Sequence, residues 1–200
     1  MTEEARLIGR CQAGDTEAFG VLVETYQKGV YNLCYRLTHN PEEARDLAQE
    51  AFLRAYRSLD RFDPGRPFGP WIYRIAANLC HDRRRRERPL VYVDGQVGDG
   101  WELELSVDQA GPEELVIEEE EHATISRAIA RLPAVYRQVI TLYHVNGLSY
   151  QEIVEATGWP LSIVKNRLFR ARKTLREWLS QESEGKGTEE DGRDRATVSG

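Results

Sequence analysis

Between Asp94 and Ala123 the chain carries eleven Asp/Glu and not one Lys or Arg. A stretch so self-repelling, interrupted by Gly95, Gly98, Gly100 and Gly111, has no place in the middle of a single hydrophobic core. It divides the 200 residues into two modules, each of which must find its own core. On either side the charge balance reverses. Residues 1–93 hold 15 Lys/Arg against 13 Asp/Glu, and residues 124–180 hold 9 against 3, while residues 181–200 hold 3 against 6. The net charge of −6 therefore conceals two neutral-to-basic blocks, and their own faces decide whether a polyanion binds.

Within each block apolar residues return every three or four positions, the period of a helix with one buried face. From Asp15, an N-cap, Phe19, Leu22, Val23, Tyr26, Val30, Leu33, Cys34 and Leu37 line one side of a long helix. Asn40-Pro41 ends it and opens another, with Asn40 as cap, Pro41 in the first turn and Glu43 at the capping-box position. The stripe of that helix is Ala44, Leu47, Ala48, Ala51, Phe52, Ala55 and Leu59. Pro64, Gly65 and Pro67 make Asp60 to Gly69 a loop, after which Pro70 opens a helix with Trp71, Ile72, Ile75, Ala76, Leu79 and Cys80 inside. With a shorter helix around Glu4 to Ala13, these form one bundle over residues 1–88.

Residues 89–122 are an acidic flexible linker in which Leu90 to Val93 is the one β-prone run and Pro112 starts a helix. A second helical domain follows over residues 123–180. Its stripes are Ile125, Ile129 and Leu132; Val139, Ile140 and Tyr143; Ile153 and Val154; and Val164, Leu168, Ala171 and Leu175. Pro133, Asn146-Gly147 and Gly158 punctuate them. The Glu/Gly/Ser/Asp-rich tail, residues 181–200, is expected to be disordered. The predicted fold is all-α, two small helical domains on a flexible tether.

Several function classes drop out. No apolar run approaches the ~18 residues of a membrane span, and the acidic start, Met1-Thr2-Glu3-Glu4, lacks the layout of a secretory signal. The chain is expected in the cytoplasm, with no membrane insertion. Cys11, Cys34 and Cys80 are odd in number, far apart and on apolar stripes, so they read as small buried hydrophobes rather than disulfide or zinc partners. His39, His81, His122 and His144 are scattered, which leaves neither a metal site, a cofactor site nor acid/base machinery in view. No enzymatic activity is expected.

The second domain carries the clearest functional pattern. Ser149-Tyr150-Gln151-Glu152 is a capping box opening a short helix, Gly158 closes it, and a longer basic helix begins near Leu161. This is the grammar of a helix-turn-helix. With Val164, Leu168, Ala171 and Leu175 inward, the opposite face offers Ser162, Lys165, Asn166, Phe169, Arg170 and Lys173, with Arg167 and Arg172 at its edges. Arg or Lys pairs with guanine, Asn with adenine, and an aromatic edge meets a thymine methyl. In the first domain the helix Trp71-Ile72-Tyr73-Arg74-Ile75-Ala76-Ala77-Asn78 runs into Arg83 to Arg86. Aromatics beside cations suit unstacked bases. Trp71, however, lies on the apolar stripe and belongs first to the core, and the arginines equally suit a helix end interacting with its own dipole.

Together these stretches resemble the extracytoplasmic-function (ECF) group of bacterial sigma factors. The resemblance lies in Asn40 to Tyr56 and Trp71 to Asn78 in the first domain. In the second it lies in Leu132-Pro133, Tyr136-Arg137, Gly147 to Ile153 and Val164 to Arg172. It implies a transcription initiation factor, serving a stress or envelope response, whose partners are the clamp and flap regions of core RNA polymerase and promoter DNA, both duplex and single-stranded. An anti-sigma factor is a further partner left open. The resemblance assigns Asp46, Gln49 and Glu50 to the polymerase clamp. It places a flipped −10 base at the loop Asp63 to Phe68, with Arg66, Phe68, Trp71, Tyr73, Arg74, Asn78, Arg84 and Arg85 as −10 contacts. It gives Ser162, Lys165, Asn166, Arg167, Phe169, Arg170 and Lys173 to the −35 element. The linker is implied to thread the polymerase's RNA exit path. The proline-rich run Asp63 to Pro70 departs from the family pattern, as does the strong acidity of the linker. The competing reading is a stand-alone helix-turn-helix regulator.

Overall fold

The computed structural model describes residues 2–87 and 120–190; the linker assignment, Leu90 to Val93 and the helix start at Pro112 lie outside them. Among the described residues every regular element is helical. The first bundle contains α1 (Glu3–Gln12), α2 (Thr16–Thr38), α3 (Pro41–Ser58), a 3₁₀ turn (Leu59–Arg61) and α4 (Phe68–Glu87). The second contains α5 (Glu120–Arg131), α6 (Ala134–Ile140), a π-helical turn (Thr141–Val145), α7 (Tyr150–Thr157) and α8 (Leu161–Glu190).

Caps and stripes explain most of these boundaries. Asp15 accepts from the N–H groups of Glu17 and Ala18, and Asn40 from those of Glu42 and Glu43, so each satisfies donors that a helix start leaves unpaired. Arg10 reaches Asp15 at 2.7 Å. That hydrogen bond, with the backbone N–H groups and the cation's charge, holds the Asp15 carboxyl below its ordinary pKa. Glu43 does not complete a capping box: its carboxylate turns to Arg83 of α4, at 3.2 Å. The α3 stripe from Ala44 to Leu59 is buried without exception, and Cys11, Cys34 and Cys80 are free and buried.

Three expectations need correction. The helix expected from Pro70 starts two residues earlier, because Phe68 is fully buried and turns the chain into α4 at that point. Ile125 is exposed although Ile129 and Leu132 on its stripe are buried. The third concerns α8, which continues to Glu190, past the expected end at Gln181. Once Val164, Leu168 and Ala171 have nucleated a packed helix, adding residues costs little. Residues 191–200 lie outside the described part.

The two domains also pack against each other, α4 on α7 and α2 on α6. Buried apolar residues of the two domains form one continuous cluster, and polar groups are buried beside it. The Arg137 guanidinium, 8% exposed, donates to Leu132 O through Nε and Nη2 (3.2 and 2.7 Å) and to Arg36 O through Nη1 (2.8 Å), and it touches the His39 ring. Arg36 O is in the last turn of α2, so Arg137 supplies a cation where carbonyls go unpaired and the helix dipole is negative. Burial, with Arg84 and Arg36 nearby, lowers the Arg137 pKa to about 10, which leaves it cationic at neutral pH. Beside it His81 Nε2 and Gln138 Oε1 lie 3.1 Å apart.

Candidate nucleic-acid interface

The second helix-turn-helix helix presents what its sequence pattern requires. Ser149 and Glu152 form the reciprocal capping box, Gly158 takes the left-handed conformation (φ 72°) that ends α7, and α8 begins after Pro160. Ile153, Ala156, Val164, Leu168 and Ala171 are buried, and α8 packs on α6 as well as on α7. That packing sets which side of α8 faces water. Ser162, Lys165, Asn166, Phe169, Arg170 and Lys173 are all exposed. Phe169, 68% exposed, is the most telling, since an aromatic left in water forfeits the burial that would ordinarily stabilise it. Arg167 differs from its neighbours: its guanidinium lies 4.0 Å over the Trp159 ring, which ties it to the turn rather than to the open face. Arg172 likewise stacks on Tyr143 at 4.8 Å and donates to His144 Nε2 at 3.2 Å. Burial and the Arg172 charge lower the pKa of His144.

The first-domain residues are distributed less uniformly. Arg66, Arg74, Asn78, Arg84 and Arg85 are exposed, Trp71 is half-buried, and Phe68 and Tyr73 are buried. Phe62, Phe68 and Trp71 form one aromatic cluster, Phe62 to Trp71 at 4.5 Å and Phe68 to Trp71 at 5.5 Å. Phe68 is thus a core residue and offers no face to a base. Tyr73 is covered from the other domain: its hydroxyl meets Gly29 of α2 and Asn146, which follows the π turn. Burial raises the Tyr73 pKa. A Cβ at position 29 would overlap the Tyr73 hydroxyl and come within 2.6 Å of Asn146 Nδ2, so only glycine permits this approach. Between the aromatics the loop is ordered by its own bonds. Gly65 N–H donates to Asp63 Oδ1 at 2.9 Å and Arg66 N–H to Asp63 O at 3.0 Å. This is an Asx turn, with Arg66 at its exposed tip.

On α3, Asp46 and Gln49 are exposed, and Glu50 is held by Arg54 at 2.7 Å. Leu53 (51% exposed) and Tyr56 (45%) continue the same side, and the sequence reading missed both. Their signal was present: positions 46, 49, 50 and 53 share a helix face, so Leu53 is apolar where the buried stripe requires nothing.

Two family models match the chain: Sigma-70 region 2 over residues 22–89 and Sigma-70, region 4 over residues 122–175. The "ECF RNA polymerase sigma factor SigW" of Bacillus subtilis is 42% identical over 176 residues, covering 86% of this chain and 94% of that protein. This chain is a member of the ECF sigma factors. Its fold resembles that of CnrH, solved in complex with the cytosolic domain of CnrY, at a TM-score of 0.65 and 25% identity over 89% of this chain and 97% of that one. It also resembles the sigma factor RpoE of Bartonella quintana, solved with the anti-sigma factor NepR, at a TM-score of 0.60 and 21% identity over 81% and 96%, a likeness of fold. In sigma-factor terms the first bundle is region 2 and the helix-turn-helix domain is region 4. No described helix is long and apolar enough to cross a membrane.

Proposed function

We propose that this sigma factor binds core RNA polymerase and directs it to promoters, region 4 reading the −35 duplex and region 2 engaging the −10 strand. The observation that carries the reading is the single open face of α8. Six side chains suited to phosphates and base edges stand clear of a helix whose other side is sealed in the core. The domain limits are residues 1–88, 89–122 and 123–180, with the acidic linker lying in the polymerase rather than on DNA. Asp46, Gln49 and Glu50, joined by Leu53 and Tyr56, form the docking face for the clamp. Arg66, Trp71, Arg74, Asn78, Arg84 and Arg85 approach the −10 strand. Tyr73 joins them once α7 leaves α4, because in the packed arrangement no base reaches it. Region 4 takes the flap, and an anti-sigma factor is the partner that would compete with polymerase.

Energetics make the polymerase necessary. DNA stacking is worth ~1.4 kcal/mol per step, so opening about ten steps costs roughly 14 kcal/mol. Capturing one or two bases, at about 1–3 kcal/mol each, does not offset it. The protein accordingly works as a non-catalytic specificity subunit in the cytoplasm, without cofactor or metal. Run-off transcription on a library of randomised −35 and −10 sequences tests this. Core enzyme with the protein is expected to select a defined pair of elements. Initiation no better than by core enzyme alone overturns the reading, as do promoter-specific open complexes formed without polymerase in permanganate footprinting.

A further inference from the structure

The loop that carries Arg66 is held at both ends by a helix far away in sequence. Gln12, the last residue of α1, donates its side-chain amide to Leu59 O at 2.9 Å and to Phe62 O at 2.8 Å, where the 3₁₀ turn ends and the loop begins. Glu4, in the first turn of α1, accepts from the Phe68 N–H at 3.1 Å through Oε2, where the loop becomes α4, and from the Tyr26 hydroxyl through Oε1. Eight residues at 1.5 Å each set the two holding points about 12 Å apart along the helix axis. Ile8 and Cys11, both buried, anchor α1 to the bundle between them.

Local sequence cannot make these bonds. Pro67 precedes α4 and has no side chain able to cap it, and Pro70 lacks an N–H, so the first turn of α4 has no Ser, Thr, Asn or Asp to meet its donors. A carboxylate at that end is favoured by the helix dipole as well as by the hydrogen bond. A loop with two prolines and a glycine, tethered at one end alone, would sample many shapes. Held at both ends, it keeps the aromatic cluster and the Asx turn in one, and the entropy of ordering it is not charged to DNA binding.

We propose that Glu4 and Gln12 are positioning residues for −10 recognition: α1 acts as a rigid splint that holds the 62–68 loop in its base-capturing shape. The inference rests on the reading that this loop meets the −10 strand. α1 itself precedes the segment 22–89 matched as region 2.

The test uses holoenzyme reconstituted with the full chain on templates of constant −35 and randomised −10 sequence. Glu4→Met and Gln12→Leu keep helix propensity and approximate volume while removing the bonds. Each is expected to flatten the preference for the best −10 sequence over the average by about tenfold, with −35 affinity and polymerase association unchanged. Ile8→Val weakens the α1 anchor without touching the loop and is expected to keep the preference. Phe68 amide exchange in the free protein is expected to quicken in Glu4→Met. Unchanged preference in both loop-bond variants, or equal flattening in Ile8→Val, overturns the splint. Wild-type protein that fails to stimulate core enzyme refutes the functional reading instead, and Phe68 exchange then still reports whether Glu4 holds the loop.

Discussion

Region 2 and region 4 are both small helical units, yet they present the residues proposed to meet DNA in opposite ways. In region 4 the open face of α8 is fully displayed, because α5, α6 and α7 pack against its other side. In region 2 the corresponding residues are shared among an aromatic core (Phe68, Trp71), a contact with the other domain (Tyr73) and open solvent (Arg66, Arg74, Asn78). On the proposed reading, a rigid duplex meets a surface prepared in advance, while a base that must leave its stack meets a loop and a helix that have to be uncovered as well. The domain contact holds buried polar groups beside its apolar ones. Arg137, Gln138 and His81 find water when the domains separate, which offsets part of the cost of exposing the apolar groups around them.

The contrast can be broken at several points. Leu168→Ala is the harshest: it empties a fully buried site behind the α8 face and should cost about 2–5 kcal/mol. Thermal unfolding is expected to show a large loss, with −35 binding gone. Survival of −35 binding would mean that the face does not depend on its core. Arg170→Ala and Lys165→Ala should each weaken −35 duplex binding by about 1–3 kcal/mol in fluorescence anisotropy while polymerase pull-down stays constant. Equal loss of both activities would make α8 merely structural. On region 2, Asp46→Ala combined with Gln49→Ala should lower polymerase affinity without moving the melting temperature, since both side chains are exposed; unchanged affinity removes α3 from the docking surface. Gly29→Ala sharpens the comparison most finely. It gains about 1 kcal/mol of helix propensity, but its methyl displaces Tyr73 and Asn146. Solution scattering is expected to show a more extended protein whose secondary structure is intact. An unaltered profile would show that the domain contact absorbs the methyl.

Much of the fold was legible because its causes are local. Asp15, Asn40 and Ser149 cap helices through N–H groups two or three residues away, and Gly158 ends α7 through its own backbone. The α8 face followed from period alone, since knowing the buried side of a helix gives the open side. The first-domain site was less legible. Arg66, Arg74 and Asn78 stand open as expected, but periodicity could not tell that Tyr73 would be covered by Asn146, some seventy residues on. Glu43 shows the same limit on a smaller scale: its position suited a capping box, and a distant arginine on α4 drew it away.

Sequence by itself determined the helices, most of their ends, the two-module division and the basic open face of α8, because each arises from interactions within a few turns of chain. Only tertiary structure decided that Arg137 caps α2, that Tyr73 lies beneath the second domain, and that Glu4 and Gln12 grip a loop some fifty to sixty residues away. Those bonds join groups with no periodic relation. Their existence depends on where whole helices come to rest, which packing settles after local rules have made the helices.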